Sequence, residues 1–410
     1  MSSSSSFPAN AKQLKLRVYP AAERAIRGGH PWVYADSVKE SNRQGMTGDI
    51  AVIYDRSNRF MALALFDADS PIQIRVLHVG KPVKLDTAWW GGRIDEALDR
   101  RMEIQTDTTT GCRLIHGEND GFPGLVVDRY NDVLVLKIYS AGWLSHIDEI
   151  EGWLRKRFAP RTIVLRLSRN IQDSALIKYG MKEGAILHGE EIHGPIVFME
   201  HGILFEADVL KGQKTGFFLD QRDNRQIVGK QAPGCDVLNA FSFSGGFSLH
   251  AARGGARSVV DLDISKHALA SARRNFELNE KHPRISECKY RGIQADVFEW
   301  MAQDDNETFD LIIVDPPSLA RREKEREGAI YAYQQLASSA IKRLRKGGLL
   351  LACSCSAHVS QEEFNSAVRQ AAKSSGRPWK EFLTTDHPRD HHKLHTFKEA
   401  SYLKGIYLRF

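Results

Sequence analysis

Two apolar runs of this chain end on residues able to do chemistry. Leu311-Ile-Ile-Val314 runs into Asp315-Pro316-Pro317, and Leu349-Leu-Leu-Ala352 runs into Cys353-Ser354-Cys355-Ser356. A short apolar run that stops abruptly at polar residues is how a buried parallel strand delivers its carboxyl end into a crevice. An Asp-Pro-Pro corner can hold the hydrogen-bonding edge of a planar heterocycle, with the prolines stiffening the turn. A cysteine beside it can add to that ring as a thiolate. The pair points to chemistry on a base. Cys353 and Cys355 are two residues apart on one strand and would share a face, so the spacing alone does not choose between them.

A third element precedes these. Asn239-Ala-Phe241-Ser-Phe-Ser244-Gly245-Gly246-Phe247 follows the apolar run Asp236-Val-Leu-Asn239 and opens a helix. Adjacent glycines at a strand-to-helix turn let the backbone approach a ligand, and the helix N-terminus favours a negative group. Asp263 closes the next strand, 18 positions beyond Gly245, where an acid can hold both hydroxyls of a ribose. Asp296 follows the third strand and could accept a proton from an adenine amine. Any one aspartate could equally cap a helix. The ordered set of three strand ends fits S-adenosylmethionine better than a dinucleotide, because Gly-x-Gly-x-x-Gly is absent.

The elements that must position these residues follow from the pattern. From about His201 onward strands and helices alternate, which predicts an open, mostly parallel α/β sheet, with a hairpin in the last 30 residues. Residues 13–85 read as short β runs, among them Asp49–Tyr54, Phe60–Phe66 and Ile72–Leu77, forming a small barrel or sandwich. Residues 86–200 read as a middle α+β unit with a helix near 94–104, a hairpin over 125–138 turning at Asn131-Asp132, a helix over 147–158 and a strand over 162–167. No cluster in that unit suggests chemistry. Residues 1–12, Ser-rich and without a basic or apolar leader pattern, are expected as a disordered tail.

The 410 residues allow two or three domains with a large core, and no apolar run approaches the roughly 20 residues of a membrane span. Five cysteines form no disulfide framework, and Cys353-Ser-Cys355 is too tight for a zinc pair, so a cytoplasmic protein without a metal is expected. His387, His391, His392 and His395 could suggest a metal, but Pro388 favours a loop there. The formal charge is +6, and residues 12–85 carry twelve basic against seven acidic side chains. That bias hints at a polyanion-binding module or a solvated basic face. Arg24, Arg27 and Trp32, around a Gly28-Gly29 turn, are the residues there that could grip phosphate and stack on bases. Arg321-Arg322, after the Asp-Pro-Pro corner, reads either as a basic flap gripping RNA or as a solvated helical charge run.

By these residues the sequence resembles class I S-adenosylmethionine methyltransferases, and more closely the bacterial large-subunit (23S) ribosomal RNA cytosine-5 methyltransferases of the RlmI type. The resemblance spans nearly everything after residue 12. It is carried most specifically by Gly29-His-Pro-Trp-Val33, Lys214 to Arg225, Asn239 to Gly246, Asp315-Pro-Pro317 and Ser354-Cys355-Ser356. It implies a PUA β-barrel, a middle domain and a Rossmann-like methyltransferase domain over 201–410. It implies that Asp263 contacts ribose and Asp296 adenine. Asn239, Phe241, Ser244 and Gly245 would line the methionine end, Asp315 would close the site, and Cys355 would be the nucleophile. The implied partner is ribosomal RNA, free or in an assembling subunit, with a homodimer left open. Ser318 departs from the many RNA cytosine-5 methyltransferases that carry a cysteine after Pro-Pro, although the RlmI type shares that departure. Guanine N7 methylation, which needs no cysteine, and an inert RNA-binding or ribosome-assembly protein are the rival readings. An exocyclic-amine methyltransferase is disfavoured because Ser318-Leu319, not an aromatic, follows Pro-Pro.

Overall fold

The computed structural model describes residues 13–303 and 307–410, and the Ser-rich segment 1–12 lies outside the described residues. The chain divides into two compact units. The first holds the N-terminal residues through Phe198, Ala207–Leu219 and Arg389–Lys398; the second holds Met199–Glu206, Asp220–Pro388 and Glu399–Phe410.

In the first unit a six-stranded sheet runs in the order Trp32–Val33, Ile74–Val79, Phe60–Phe66, Ile50–Tyr54, Leu14–Val18, Val38–Ser41. A five-stranded sheet follows in the order Ile186–Gly189, Thr162–Leu167, Val133–Ile138, Leu125–Tyr130, Gly111–His116. The expected hairpin over 125–138 is present, and Asn131 takes the left-handed conformation, φ 57°, that such a turn requires. The helix expected near 94–104 instead spans Thr87–Asp99, because Asp86 caps it by accepting the Trp89 N–H. Leu63, Leu65 and Leu77 from the first sheet share one core with Leu114, Leu136, Trp90 and Trp143.

The C-terminal segment of this unit is held by buried polar contacts. Asp390 is fully buried and accepts the Arg113 N–H at 3.0 Å, while its carbonyl accepts from Arg101 at 2.9 Å. Arg101 in turn forms a fully buried ion pair with Asp120. Strand pattern could not foresee this, since residues 389–398 carry no apolar run and their partners lie nearly 300 positions earlier.

The second unit is built on a seven-stranded sheet whose strands we number within it: β1 Asp236–Ala240, β2 Ser258–Asp263, β3 Lys289–Gln294, β4 Phe309–Val314, β5 Leu344–Ser354, β6 Lys380–Thr385 and β7 Lys404–Arg409. Their spatial order is β3-β2-β1-β4-β5-β7-β6. The first five are mutually parallel, and β7 inserts antiparallel between β5 and β6. The order reverses at β1 and β4, so ligand chemistry belongs at their carboxyl ends. The last 30 residues thus give two antiparallel strands as expected, but they join through a long excursion rather than a turn.

The helix Arg222–Gln231 and the helix Gly246–Gly254 meet through glycines. A Cβ on Gly254 would come within 2.0 Å of the Gly229 carbonyl oxygen. Glu200, fully buried, clamps the first of these helices by accepting twice from Arg225 at 2.6 Å, and it also meets His250 at 3.1 Å. Burial would raise its proton affinity, but the Arg225 charge and the His250 contact overcome that and hold it well below the usual carboxylate range.

Gly254→Ala is expected to cost about 1–3 kcal/mol through backbone overpacking, read as a lower urea midpoint. Gly328→Ala, in a helix where the added methyl meets nothing within 4 Å, should be neutral or gain up to about 1 kcal/mol.

Candidate active site

The carboxyl ends of β1, β2, β4 and β5 bring the candidate residues together. The loop after β1 alternates in handedness, with Phe241 at φ 61°, Phe243 at φ 48° and Gly245 at φ 73°. Two side chains holding left-handed backbone are strained positions that surrounding structure must enforce. The enforcement is visible: the Phe241 and Ser242 N–H groups both donate to the Leu262 carbonyl, and the Phe243 N–H donates to the Asp263 carboxylate at 2.9 Å. The other Asp263 oxygen accepts the Ser265 N–H at 2.8 Å. Both oxygens retain capacity, since a carboxylate has about four lone-pair sites.

Asn239 does not face outward. It is fully buried at the end of β1, and its amide donates at 3.0 Å to both Ser248 and Asp261. The amide nitrogen thus underpins the glycine loop, while the amide oxygen is buried with no hydrogen-bond partner. Asp261, which sequence reading passed over, is the hub of that network, accepting from Asn239 and from the Ser248 hydroxyl. Burial pushes its carboxyl up to about 7, against those hydrogen bonds that favour the anion. Ser244 is buried and its carbonyl accepts from Asn275, which fixes the loop from the far side.

The donor set suits S-adenosylmethionine. Ser242 is buried, and its hydroxyl has no hydrogen-bond partner. Ile264 and Phe298, one residue after Asp263 and two after Asp296, are exposed by 65% and 40%, an unusual state for large apolar groups. Phe241 meets Phe298 edge-on, with centroids 6.0 Å apart. Apolar faces flanking two acids offer a planar ring a place to pack and polar edges to bind. Asp296 also caps the helix Val297–Ala302 by accepting the Glu299 N–H at 3.1 Å. One lone pair serves that cap and the rest are available.

At the β4 end, the Asp315 carboxylate accepts from Gln221 at 2.9 Å, and Gln221 accepts from Asn224 at 2.6 Å. Asn224 in turn accepts from the Thr385 and Tyr407 hydroxyls at 2.7 and 3.1 Å. Gln221 was missed as a positioning residue, although it lies in the Lys214 to Arg225 stretch that carries the resemblance. Sequence spacing does not reveal that a helix preceding β1 reaches β4.

The two cysteines separate clearly. Cys353 lies within β5, fully buried against Gln221 and Asp315. Burial first, and the Asp315 charge second, push its thiol well above the ordinary value. Cys355 follows the last residue of β5, is half-buried, and its sulfur lies 3.8 Å from the Pro316 carbonyl oxygen. Its flanking serines are pinned: Ser354 donates to Tyr333 at 2.9 Å, and the Ser356 hydroxyl meets Tyr333 at 2.8 Å and accepts the Leu319 and Ala320 N–H groups at 3.1 and 3.2 Å. Ser318, standing where a second cysteine is common, contacts the same Ser356 hydroxyl at 3.2 Å. It ties the two loops together.

Elsewhere the predicted residues are dispersed. Arg24 is exposed, whereas Arg27 pairs with Glu23 and Asp55, each at 3.2 Å. Trp32, half-buried, gives its N–H to Glu118 at 2.8 Å and packs against Phe397 with centroids 4.7 Å apart. Arg321 and Arg322 are exposed. His391 is buried against Asp390, and His387 accepts the Leu403 N–H. Among the described residues no group of three such side chains could hold a metal ion. No described helix is long and apolar enough to cross a membrane.

Residues 178–375 match the family model of S-adenosylmethionine-dependent methyltransferases, and residues 16–78 match that of PUA-like domains. A ribosomal RNA large subunit methyltransferase from Deinococcus radiodurans is 52% identical, over 98% of this chain and 99% of its own length. The chain belongs to the ribosomal RNA large subunit methyltransferase family. A further member, the large subunit methyltransferase I of Shewanella denitrificans, is 34% identical over 97% of this chain and 99% of its own. The family's methyl donor is S-adenosylmethionine. Among solved structures, a methyltransferase from Streptococcus mutans shares the fold with a TM-score of 0.79, at 23% identity over 97% of this chain and all of its own. Another, crystallised with S-adenosylhomocysteine, gives 0.81 at the same identity and coverage.

The buried Asp261 carboxyl makes a pH-dependent contribution that can be checked. Its folded proton affinity exceeds that of an unfolded aspartate (about 4), so between about pH 4 and pH 7 the folded chain binds the extra proton. The stability it contributes therefore falls as pH rises through that window and is lost above about 7. Relative to Asp261→Asn, wild type should lose about 2 kcal/mol between pH 5 and pH 8 in urea unfolding. A difference that stays constant with pH would show that this carboxyl does not titrate there.

Proposed function

We propose that this chain methylates carbon 5 of a cytosine in large-subunit (23S) ribosomal RNA, with Cys355 as nucleophile. The observation that carries the reading is the contrast between the two cysteines: Cys353 is sealed inside β5, while Cys355 is half-buried beside the Asp-Pro-Pro corner. The RNA class is supported by the names of relatives that cover the whole chain. The basic excess of residues 12–85, which enclose the PUA-like match, supports it too. We keep 13–85, 86–200 and 201–410 as the functional division, and we assign the protein to the cytoplasm with the RNA it serves.

Carbon 5 of cytosine is too weak a nucleophile to accept a methyl group directly. Addition of the Cys355 thiolate to carbon 6 raises electron density at carbon 5. S-adenosylmethionine, when bound, supplies the electrophilic methyl. Transfer of the carbon 5 proton to water then lets its bonding pair re-form the ring double bond and expel the sulfur as the thiolate. Asp263 would hold the ribose and Asp296 the adenine edge, with Phe241, Ile264 and Phe298 against the ring. Ser244 and Gly245 shape the backbone around the methionine end. Asp315, oriented by Gln221, would hydrogen-bond the cytosine amine or ring nitrogen as charge develops there. The target base must be extruded or already unpaired to reach this crevice. Arg24, Arg27, Arg321 and Arg322 are the candidates for backbone phosphate contacts.

Nucleoside analysis of large-subunit ribosomal RNA from cells lacking the protein should show the loss of one 5-methylcytosine. Wild type should restore it, as should Cys353→Ala, whereas Cys355→Ala should lower the purified enzyme's rate by about 10³-fold or more. Full activity of Cys355→Ala with 7-methylguanine as product would establish the noncovalent route, and failure of the protein to bind S-adenosylmethionine in calorimetry would favour a purely RNA-binding role.

A further inference from the structure

The second unit buries a lysine that the chemistry described so far does not use. Lys404 is the first residue of β7, paired in register with Ser354 of β5, and is 1% exposed. Its ammonium donates at 2.5 Å to the carbonyl of Ser356, the residue after Cys355. No carboxylate among the described residues forms an ion pair with it. A buried ammonium bonded to one neutral carbonyl is costly, and lysines are almost never fully buried without a counter-charge. The group that can supply that charge is the sulfur of Cys355 when ionised.

We infer that Lys404 is the electrostatic partner of Cys355, a positioning residue whose ammonium stabilises the thiolate and so readies it for attack. The inference rests on the reading of Cys355 as nucleophile. The other titratable groups around this crevice are acidic or neutral. Asp315 carries negative charge into the same crevice and pushes the neighbouring Cys353 thiol up, as does Asp220 more weakly. Tyr333 and Tyr407 are kept neutral, chiefly by burial, so neither offsets that field. Burial also pushes the Lys404 ammonium down to about 8, and the Cys355 sulfur is the group that draws it back up. The influence must be mutual, because what raises the proton affinity of the amine lowers that of the thiol. The Ser356 carbonyl fixes where the ammonium lies.

The experiment is the pH dependence of iodoacetamide alkylation at Cys355 in the full chain, followed by peptide mapping. Cys112, Cys288 and Cys353 are buried, and mapping separates Cys235. Wild type should react with a midpoint at least about one pH unit below the ordinary thiol value of about 8.5. Lys404→Met should raise that midpoint by a unit or more and slow alkylation at pH 7 about 10-fold, while Lys404→Arg should retain the low midpoint. Lys404→Met should also lose kcat at pH 7 and regain it toward pH 9, with the KM for RNA unchanged. An unshifted midpoint in a Lys404→Met variant with a native melting transition overturns the inference. If that variant does not fold, a wild-type midpoint at or above about 8.5 overturns it equally. Retention of full methylation by Cys355→Ala would instead sink the covalent reading, while the alkylation midpoints would still decide whether Lys404 tunes this thiol.

Discussion

The Ser356 hydroxyl is the joint on which the site depends. It receives the Leu319 and Ala320 N–H groups and meets the Tyr333 and Ser318 hydroxyls. A single buried oxygen therefore ties the loop after β4 to the loop after β5. Those loops carry Asp315 and Cys355, which are 40 positions apart and would otherwise be placed by two independent strand ends. Because the joint is buried, its hydrogen bonds do not compete with bulk water, and leaving any member unpaired costs about 1–3 kcal/mol. Rigid loops keep a thiol and a carboxylate at a fixed separation, which is what orientation contributes to catalysis.

A second scaffold holds the opposite side of the crevice. The chain of contacts from Asp315 through Gln221 and Asn224 to Thr385 and Tyr407 draws on β4, on the helix before β1, and on β6 and β7. The glycine contact at 229 and 254 sets how closely that helix can approach. The loop after β1 is held in its strained conformation by Leu262, Asp263 and the Asn239, Ser248 and Asp261 network. Most of the polar residues around the crevice are thus engaged in holding its few loop-borne side chains.

What could be read from the residues followed the physics of the strand end. The stop of an apolar run at polar residues put Asp315, Cys355, Asp263 and the glycine loop at strand ends, where the structure has them, because each depends on local sequence alone. The contacts of Asn239 with Ser248 and Asp261 were not legible, because a polar residue at a strand end can point into the sheet as easily as out of it. Asp296 caps a helix, the alternative that any one strand-end aspartate carries. Gln221 and Lys404 escaped notice because their meaning arises only from pairing across the sheet. Lys404 did leave a trace, a lone cation in the apolar run Tyr402-Leu-Lys404-Gly-Ile-Tyr-Leu408. The partners of Trp32, Glu118 and Phe397, were likewise illegible, because they lie far along the chain.

The interleaving of the two units shapes how the molecule can be made. Asp390 and Arg101 belong to the first unit, yet nearly all of the second is encoded between them. On the ribosome, the earlier half must wait with Arg101 and the Arg113 amide unsatisfied by Asp390 until the later half has emerged. Neither half is a portable module that a single cut would release. Domain shuffling at residue 200 would leave Asp120 and Arg101 without the strap that closes over them, so the two units are inherited together.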